Sequence, residues 1–312
     1  MRLAFLGTPA FAAPALERIV EKGHTVLAVI TQPDRPRGRG QNPAASPVKE
    51  TAVRLVLPVY QPERVRRPEA VEYLRALALD AMVVVGYGQI IPQSIIDLAP
   101  LGIINVHASL LPKYRGAAPI QWAMINGETR TGVTTMRIDA GLDTGDILLT
   151  AETEIAPEET AIDVSRRLAV MGADLLAETL DGLAAGTIVP RKQDPAQATY
   201  APLLKKEDGR IEWKQPAAAI QNRVRGLQPW PGAYTTFRGQ SLHIWSSRPG
   251  QAPPANAPPG QILATRPVRI ACGEGSLELI EVQLEGRNRI SATDFANGQR
   301  LSENEVLGEP RN

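Results

Sequence analysis

The sequence predicts a doubly wound α/β domain followed by a small β-barrel domain. Two observations carry this reading. Through residue 187, apolar strand-like runs alternate with helically periodic segments, an order that builds a parallel sheet covered on both faces. Beyond residue 204 the chain changes to short segments of alternating polarity, the pattern of a small β domain.

The elements follow in order. Arg2 to Leu6 is a first strand. After it, Phe11, Ala15 and Ile19 share one helical face, as do Ala12, Leu16 and Val20, spacings of four that stack side chains on a helix. A turn at Gly23 leads into a second strand, Thr25 to Ile30. Ala81 to Val85 and Gly102 to Val106 are further strands, the first continuously apolar as a strand buried on both faces requires. Residues 158–183 read as a long amphipathic helix, with Ala161, Val164, Leu168, Met171, Leu175, Thr179 and Leu183 spaced by three and four. This gives a first domain over 1–187, an extended linker over 188–204, and a second domain over 205–312. In the second, Ser241 to Trp245, Pro267 to Ala271 and Leu277 to Leu284 are strand segments, and the Pro-rich tract Ala252 to Pro259 is a loop. The run S-A-T-D-F at 291–295 is a capping-box pattern that starts a helix.

Composition narrows the class of function. With 43% hydrophobic and 21% charged residues among 312, the chain can bury a substantial core. No apolar run is long enough to cross a bilayer, and the opening M-R-L-A-F-L-G-T-P is too short and too soon interrupted to be a secretory signal. A single cysteine, Cys272, offers neither an internal disulfide nor a metal cluster and fits a reducing cytoplasm. The net charge is +1, but it is uneven. Residues 1–190 carry 18 Lys/Arg against 21 Asp/Glu, and residues 191–312 carry 16 against 12. A basic second part suits a polyanion, and equally an ordinary solvated surface.

The first strand-to-helix turn reads G-T-P-A-F, with one glycine where a dinucleotide fingerprint has three, and no phosphate-cradling G-x-x-x-x-G-K-[ST] is present. The most informative segment is I-I-N-V-H-A-S-L-L-P-K-Y-R-G-A-A-P-I, residues 103–120. On a strand, Asn105 and His107 project to the same face, at the carboxyl end where open α/β sheets bind ligands. The pair by itself also fits a structural hydrogen-bonding role. A second cluster, R-I-D-A-G-L-D-T-G-D-I-L, carries Asp139, Asp143 and Asp146 in glycine-marked turns between two strands. Their residue types alone fit turn capping and do not distinguish Asp143 from the others. His24 and His243 read as structural, Trp213 and Trp230 as core, and Cys272 as buried filler. The loop 31–47 places Arg35, Arg37 and Arg39 among glycines and prolines, which fits a solvated connection or an arm that meets RNA phosphates.

These motifs carry a resemblance. N-V-H-x-S-L-L-P-x-x-R-G-A-A-P-I followed by D-x-G-L-D-T-G-D resembles the signature of the folate-dependent formyltransferases. The opening L-G-T-P-x-F, the loop T-Q-P-D-R-P-R-G-R-G and the later V-R-G-L-Q-P-W-P-G-A-Y resemble the branch of that family acting on initiator methionyl-tRNA. Ala108 departs from the glycine common between the His and the Ser. The likeness implies a Rossmann-like formyltransferase domain followed by an OB-like barrel that binds tRNA. It implies Asn105, His107 and Asp143 as the catalytic residues, Ser109, Leu110, Leu111 and Pro112 as the folate-site lining, and the arginine loop, Arg39 above all, as the tRNA contact. It further implies 10-formyltetrahydrofolate as formyl donor, no metal, no membrane, and a monomer in the cytoplasm. A transferase acting on a small amine, such as a sugar nucleotide or a purine precursor, would use the same three residues. A folate-binding or folate-hydrolysing protein and a non-catalytic RNA-binding module are the other readings.

Overall fold

The structure, a computed structural model, describes residues 1–37, 42–250 and 257–308. The chain forms two compact units. The first takes Met1–Pro119, Arg130–Thr153 and Ser165–Ala201, and the second takes Ile120–Thr129, Glu154–Val164 and the chain from Pro202 onward.

The strands of the first unit are β1 (Arg2–Gly7), β2 (Thr25–Ile30), β3 (Arg35–Arg37), β4 (Asn42–Ala44), β5 (Val59–Tyr60), β6 (Ala81–Val85), β7 (Ile103–His107), β8 (Arg115–Gly116), β9 (Arg130–Arg137), β10 (Ile147–Glu154) and β11 (Tyr200–Ala201). Its helices are α1 (Ala13–Glu21), α2 (Pro47–Arg54), α3 (Pro68–Ala76) and α4 (Gln93–Ile96). Helix α5 (Pro119–Ile125) follows β8, and α6 (Ala161–Ala185) follows β10. The main sheet runs β10-β9-β7-β6-β1-β2-β5. Its pairs β7·β6, β6·β1, β1·β2 and β2·β5 are parallel, and β9 pairs antiparallel to β7. The chain builds outward from β1 to β2 and β5, then returns to lay β6 and β7 on the other side. That reversal is the doubly wound order, and it opens a crevice beyond the carboxyl ends of the strands.

Side chains alternate between two apolar layers. Leu3, Phe5, Ala81, Val83, Val85, Ile104 and Val106 face one core with Leu16 and Ile19 of α1, Val48 of α2, and Leu176 and Leu180 of α6. Ala4, Leu6, Met82, Val84 and Ile103 face the other with Leu74 of α3 and Ile95 of α4. This two-sided burial is why β6 is apolar at every position. Local signals start the helices: the Ser46 hydroxyl accepts the Lys49 N–H, with Pro47 at the first helical position of α2. Residues 188–201 run extended along the first unit. Arg191 bridges Ile147, and β11 pairs with β8.

The second unit contains the expected antiparallel β structure. Strands β12 (Ala233–Phe237), β13 (Gln240–Gly250), β14 (Ile262–Thr265), β15 (Val268–Ala271) and β16 (Ser276–Leu284) are ordered β12-β13-β16-β15-β14, and β17 (Ile290–Ser291) pairs with β16. One apolar cluster joins them to α7 (Ala217–Gly226) and α8 (Ala292–Gln299), with Trp213, Ile220, Ile244, Cys272 and Phe295 among its members. The Ser291 hydroxyl accepts the Asp294 N–H and caps α8, as its sequence pattern predicts. Trp230 corrects one expectation. It is 56% exposed, because it lies in the turn after α7 rather than on a strand facing the core. Among the described residues, no helix is long and apolar enough to cross a membrane.

Candidate active site

The site is built at the carboxyl end of β7. Its odd positions share the face of Ile103, so Asn105 and His107 point the same way while Ile104 and Val106 pack into the opposite core. Both polar side chains are buried, Asn105 at 8% and His107 at 6% exposure. Among the described residues the Asn105 side chain makes no hydrogen bond, which leaves its amide N–H groups free to donate.

His107 is held at one ring nitrogen and faces a carboxylate with the other. Its Nε2 lies 2.9 Å from the Tyr114 carbonyl oxygen, which can only accept, so Nε2 carries the hydrogen. That assignment leaves Nδ1 as the nitrogen that gains or loses a proton, and Nδ1 lies 3.7 Å from Asp143 Oδ2. The same carboxylate oxygen accepts the Gly116 N–H at 2.8 Å. Asp143 thus differs from Asp139 in its partners. Asp139 accepts from the Gly141 N–H at 3.0 Å and the Thr144 hydroxyl at 2.7 Å, as a turn cap does.

Backbone geometry brings Asp143 to this position. Its φ of +52° lies in the left-handed region, which side-chain-bearing residues seldom occupy and Asp tolerates better than most. Gly145 beside it admits no Cβ, which would stand 1.9 Å from the Arg137 carbonyl oxygen. Gly116 has φ +122°, and a Cβ there would meet the Ala201 carbonyl oxygen at 2.6 Å. Glycine is required where β8 and β11 come together.

Residues 109–112 form the turn that follows β7. The Ser109 hydroxyl donates to the Lys113 carbonyl at 2.6 Å, and the Ser109 carbonyl accepts from the Thr134 hydroxyl at 2.7 Å. Leu111 packs with Met136 and Ile147. Ser109 and Leu111 thus use their side chains inside the fold, whereas Leu110 and Pro112 stay half-buried. Arg35 is exposed on β3, which pairs antiparallel with β4 and contains Arg37. Arg39 lies outside the described residues. Three contributors have no assigned role in the sequence reading: the Tyr114 carbonyl, the Gly116 N–H, and Gln193. The first two lie inside the Y-R-G of the long motif, and nothing around Gln193 marks it. Among the described residues, no three His, Cys, Asp or Glu side chains group as metal ligands.

A doubly wound sheet with an imidazole–carboxylate pair and an amide unpaired among the described residues at one strand end has the makings of a group-transfer site. Comparison with known proteins makes the class specific. The sequence profile of the formyl transferase family matches residues 1–180, and that of the formyl transferase C-terminal domain matches residues 203–300. The chain belongs to the formyl transferase family. It is 75% identical over 309 residues to a protein of Solibacter usitatus named methionyl-tRNA formyltransferase, covering 99% of both chains. It is 55% identical to a protein of the same name from Koribacter versatilis, again covering 99% of both. Among solved structures it resembles the N-formyltransferase from Helicobacter canadensis, in complex with folinic acid and dTDP-3-aminofucose. That match has a TM-score of 0.66 at 18% identity and covers 92% of this chain and 99% of that one. At such identity the likeness concerns the fold.

Proposed function

We propose that this protein transfers the formyl group of 10-formyltetrahydrofolate to the amino group of initiator methionyl-tRNA. The observation that carries the chemistry is the His107–Asp143 pair, with Asn105 on the same strand face. The tRNA acceptor is supported by the near full-length relatives that bear the name.

The reaction needs three services. The amine nitrogen attacks the formyl carbon, negative charge grows on the carbonyl oxygen, the bond to folate N10 breaks, and one proton passes from the amine to N10. The free Asn105 amide donates to the growing oxyanion, a type of contact worth roughly 10²–10³ in rate. The His107 Nδ1 and Asp143 Oδ2 face each other with room for one proton between them, so the pair takes the amine proton and returns it to the leaving nitrogen. The balance closes without a metal or a covalent enzyme intermediate. Leu110 and Pro112 offer apolar surface to a flat pterin, while Ser109 and Leu111 fix the turn that presents it.

Arg35, Arg37 and Arg39 form an arm that holds tRNA phosphates, and residues 205–312 supply the second, basic surface. The protein works as a monomer in the cytoplasm, where its buried Cys272 stays reduced. The test is incubation of the purified protein with 10-formyltetrahydrofolate and charged initiator tRNA, followed by assay for formyl-methionine. Sugar amines, aminoribonucleotides and water are compared as acceptors. Preferential transfer to one of these would replace the tRNA reading.

A further inference from the structure

We infer that Gln193 is a positioning residue for the formyl transfer, acting through the backbone of Asp143. Gln193 stands outside both long motifs, in the extended stretch after α6. Its side-chain amide is nevertheless saturated. Nε2 donates to the Asp143 carbonyl at 2.8 Å and to the Gly145 carbonyl at 2.7 Å. Oε1 accepts from Arg115 Nε at 3.0 Å and Arg115 Nη2 at 2.8 Å. An amide has two donors and two acceptor sites, and all four are used. The orientation is fixed, because a flipped amide would turn its NH₂ toward a guanidinium that only donates and its oxygen toward two carbonyls that only accept.

These bonds act at the point where the acidic loop needs support. Asp143 is in the left-handed region, and the two carbonyls that Gln193 holds flank the turn that keeps it there. Arg115, on the other side, is 5% exposed and lies between Tyr114 and Gly116. Those residues supply the carbonyl bound to His107 Nε2 and the N–H bound to Asp143 Oδ2. A closed ring therefore runs His107, Tyr114, Arg115, Gln193, Asp143 and back to His107. Within it, Gln193 is the one side chain joining the 114–116 segment to the Asp143 backbone. Its own placement is secured by the Arg191–Ile147 bridge before it and the β11·β8 pairing after it. Without Gln193 the Asp143 carboxylate keeps its Gly116 bond, but the Asp143 backbone loses the support that helps set the carboxylate 3.7 Å from His107.

The inference rests on the proposed formyl transfer, so the unsubstituted protein is the control. Transfer kinetics are measured for Gln193→Glu, Gln193→Leu, Asp143→Asn and the double variant Asp143→Asn/Gln193→Leu, with kcat and KM for folate and for tRNA determined separately. Gln193→Glu keeps the shape and the Arg115 partner but removes the donors. Both Gln193 variants are expected to lose about 10- to 100-fold in kcat, with each KM within about threefold of the parent, the pattern of a group acting on the transition state alone. The double variant is expected to be no slower than Asp143→Asn, because a residue acting only through Asp143 has nothing left to position. Parental kcat in Gln193→Glu, or losses that multiply in the double variant, overturns the inference. An inactive parent overturns the proposed transfer itself. If Gln193→Leu fails to fold, Gln193→Glu alone decides by its kcat and by whether its pH–rate profile departs from the parent's.

Discussion

Asp143 reaches His107 from a different strand connection, and one oxygen does two jobs. Its Oδ2 accepts the Gly116 N–H at 2.8 Å while lying 3.7 Å from His107 Nδ1. The first contact is a full hydrogen bond and the second is long enough to need closing when a proton arrives. The carboxylate is thus anchored by backbone and offered to the imidazole, an arrangement that keeps it in place in either protonation state of the ring.

The first prediction follows from that division of labour. Asn105→Ala removes the oxyanion donor and should lower kcat by roughly 10²–10³. His107→Ala should cost about 10²–10⁴ through loss of proton transfer, and Asp143→Ala should be similarly impaired. tRNA binding, measured by filter retention, should stay within a few-fold in all three. Turnover near the parental level in all three variants would sink the assignment.

Two glycines give a stability test with an internal control. Gly116→Ala meets both a left-handed backbone and a carbonyl oxygen 2.6 Å from the new Cβ, whereas Gly102→Ala has φ +78° with nothing within 4 Å. Overpacking typically costs about 1–3 kcal/mol. Denaturant midpoints by circular dichroism should therefore place Gly116→Ala clearly below Gly102→Ala. Equal losses would mean that close packing of Gly116 on Ala201 does not matter.

Cys272 should be chemically silent. Burial among the apolar side chains of the second unit pushes its thiol up to about 12, so almost no thiolate forms below pH 9. Iodoacetamide at pH 8 should label the denatured chain and spare the native one, as read by intact mass. Rapid labelling of the native protein would contradict the burial.

His243 should make the second unit acid-sensitive. Burial, reinforced by the nearby positive charge of Lys206, holds its imidazole below the ordinary 6.5. The folded form thus resists a proton that the unfolded chain accepts. Its contribution is fully present above pH 6.5 and is lost as pH falls from there through the depressed folded value. All four tryptophans, Trp122, Trp213, Trp230 and Trp245, belong to the second unit, so their fluorescence follows its unfolding. Urea midpoints should fall between pH 7 and pH 5.5, and the fall should be smaller in His243→Gln. An unchanged pH dependence in that variant would assign the sensitivity elsewhere.

The basic arm and the second unit should matter for tRNA and little for folate. Arg39→Ala should reduce formylation of charged initiator tRNA far more than it reduces folate binding. Raising the salt concentration should weaken tRNA binding to the intact protein, because phosphate contacts release counterions. Unimpaired tRNA formylation by Arg39→Ala, together with salt-independent binding, would remove the arm from the mechanism.

Periodicity by itself located the central strands β1, β2, β6 and β7 and the helices α1 and α6, and left β5 and α2 to α5 unread. Thr25–Ile30 and Ala81–Val85 end where the apolar runs end, because a two-sided core demands unbroken hydrophobicity. The Asn105–His107 pairing on one face also follows from strand geometry alone. What distinguishes Asp143 from Asp139 is tertiary: Asp143 accepts an N–H from Gly116, 27 residues away, whereas Asp139 is satisfied by Gly141 and Thr144 within its own turn. Trp230 reads as core by residue type and lies in an exposed turn, since burial depends on the layer a residue faces. Gln193 was invisible for the same reason. An amide in an extended stretch has no period and no neighbouring motif, and its meaning comes from partners 78 and 50 residues away along the chain. Local sequence specifies local geometry; those long-range hydrogen bonds exist only once the fold has closed.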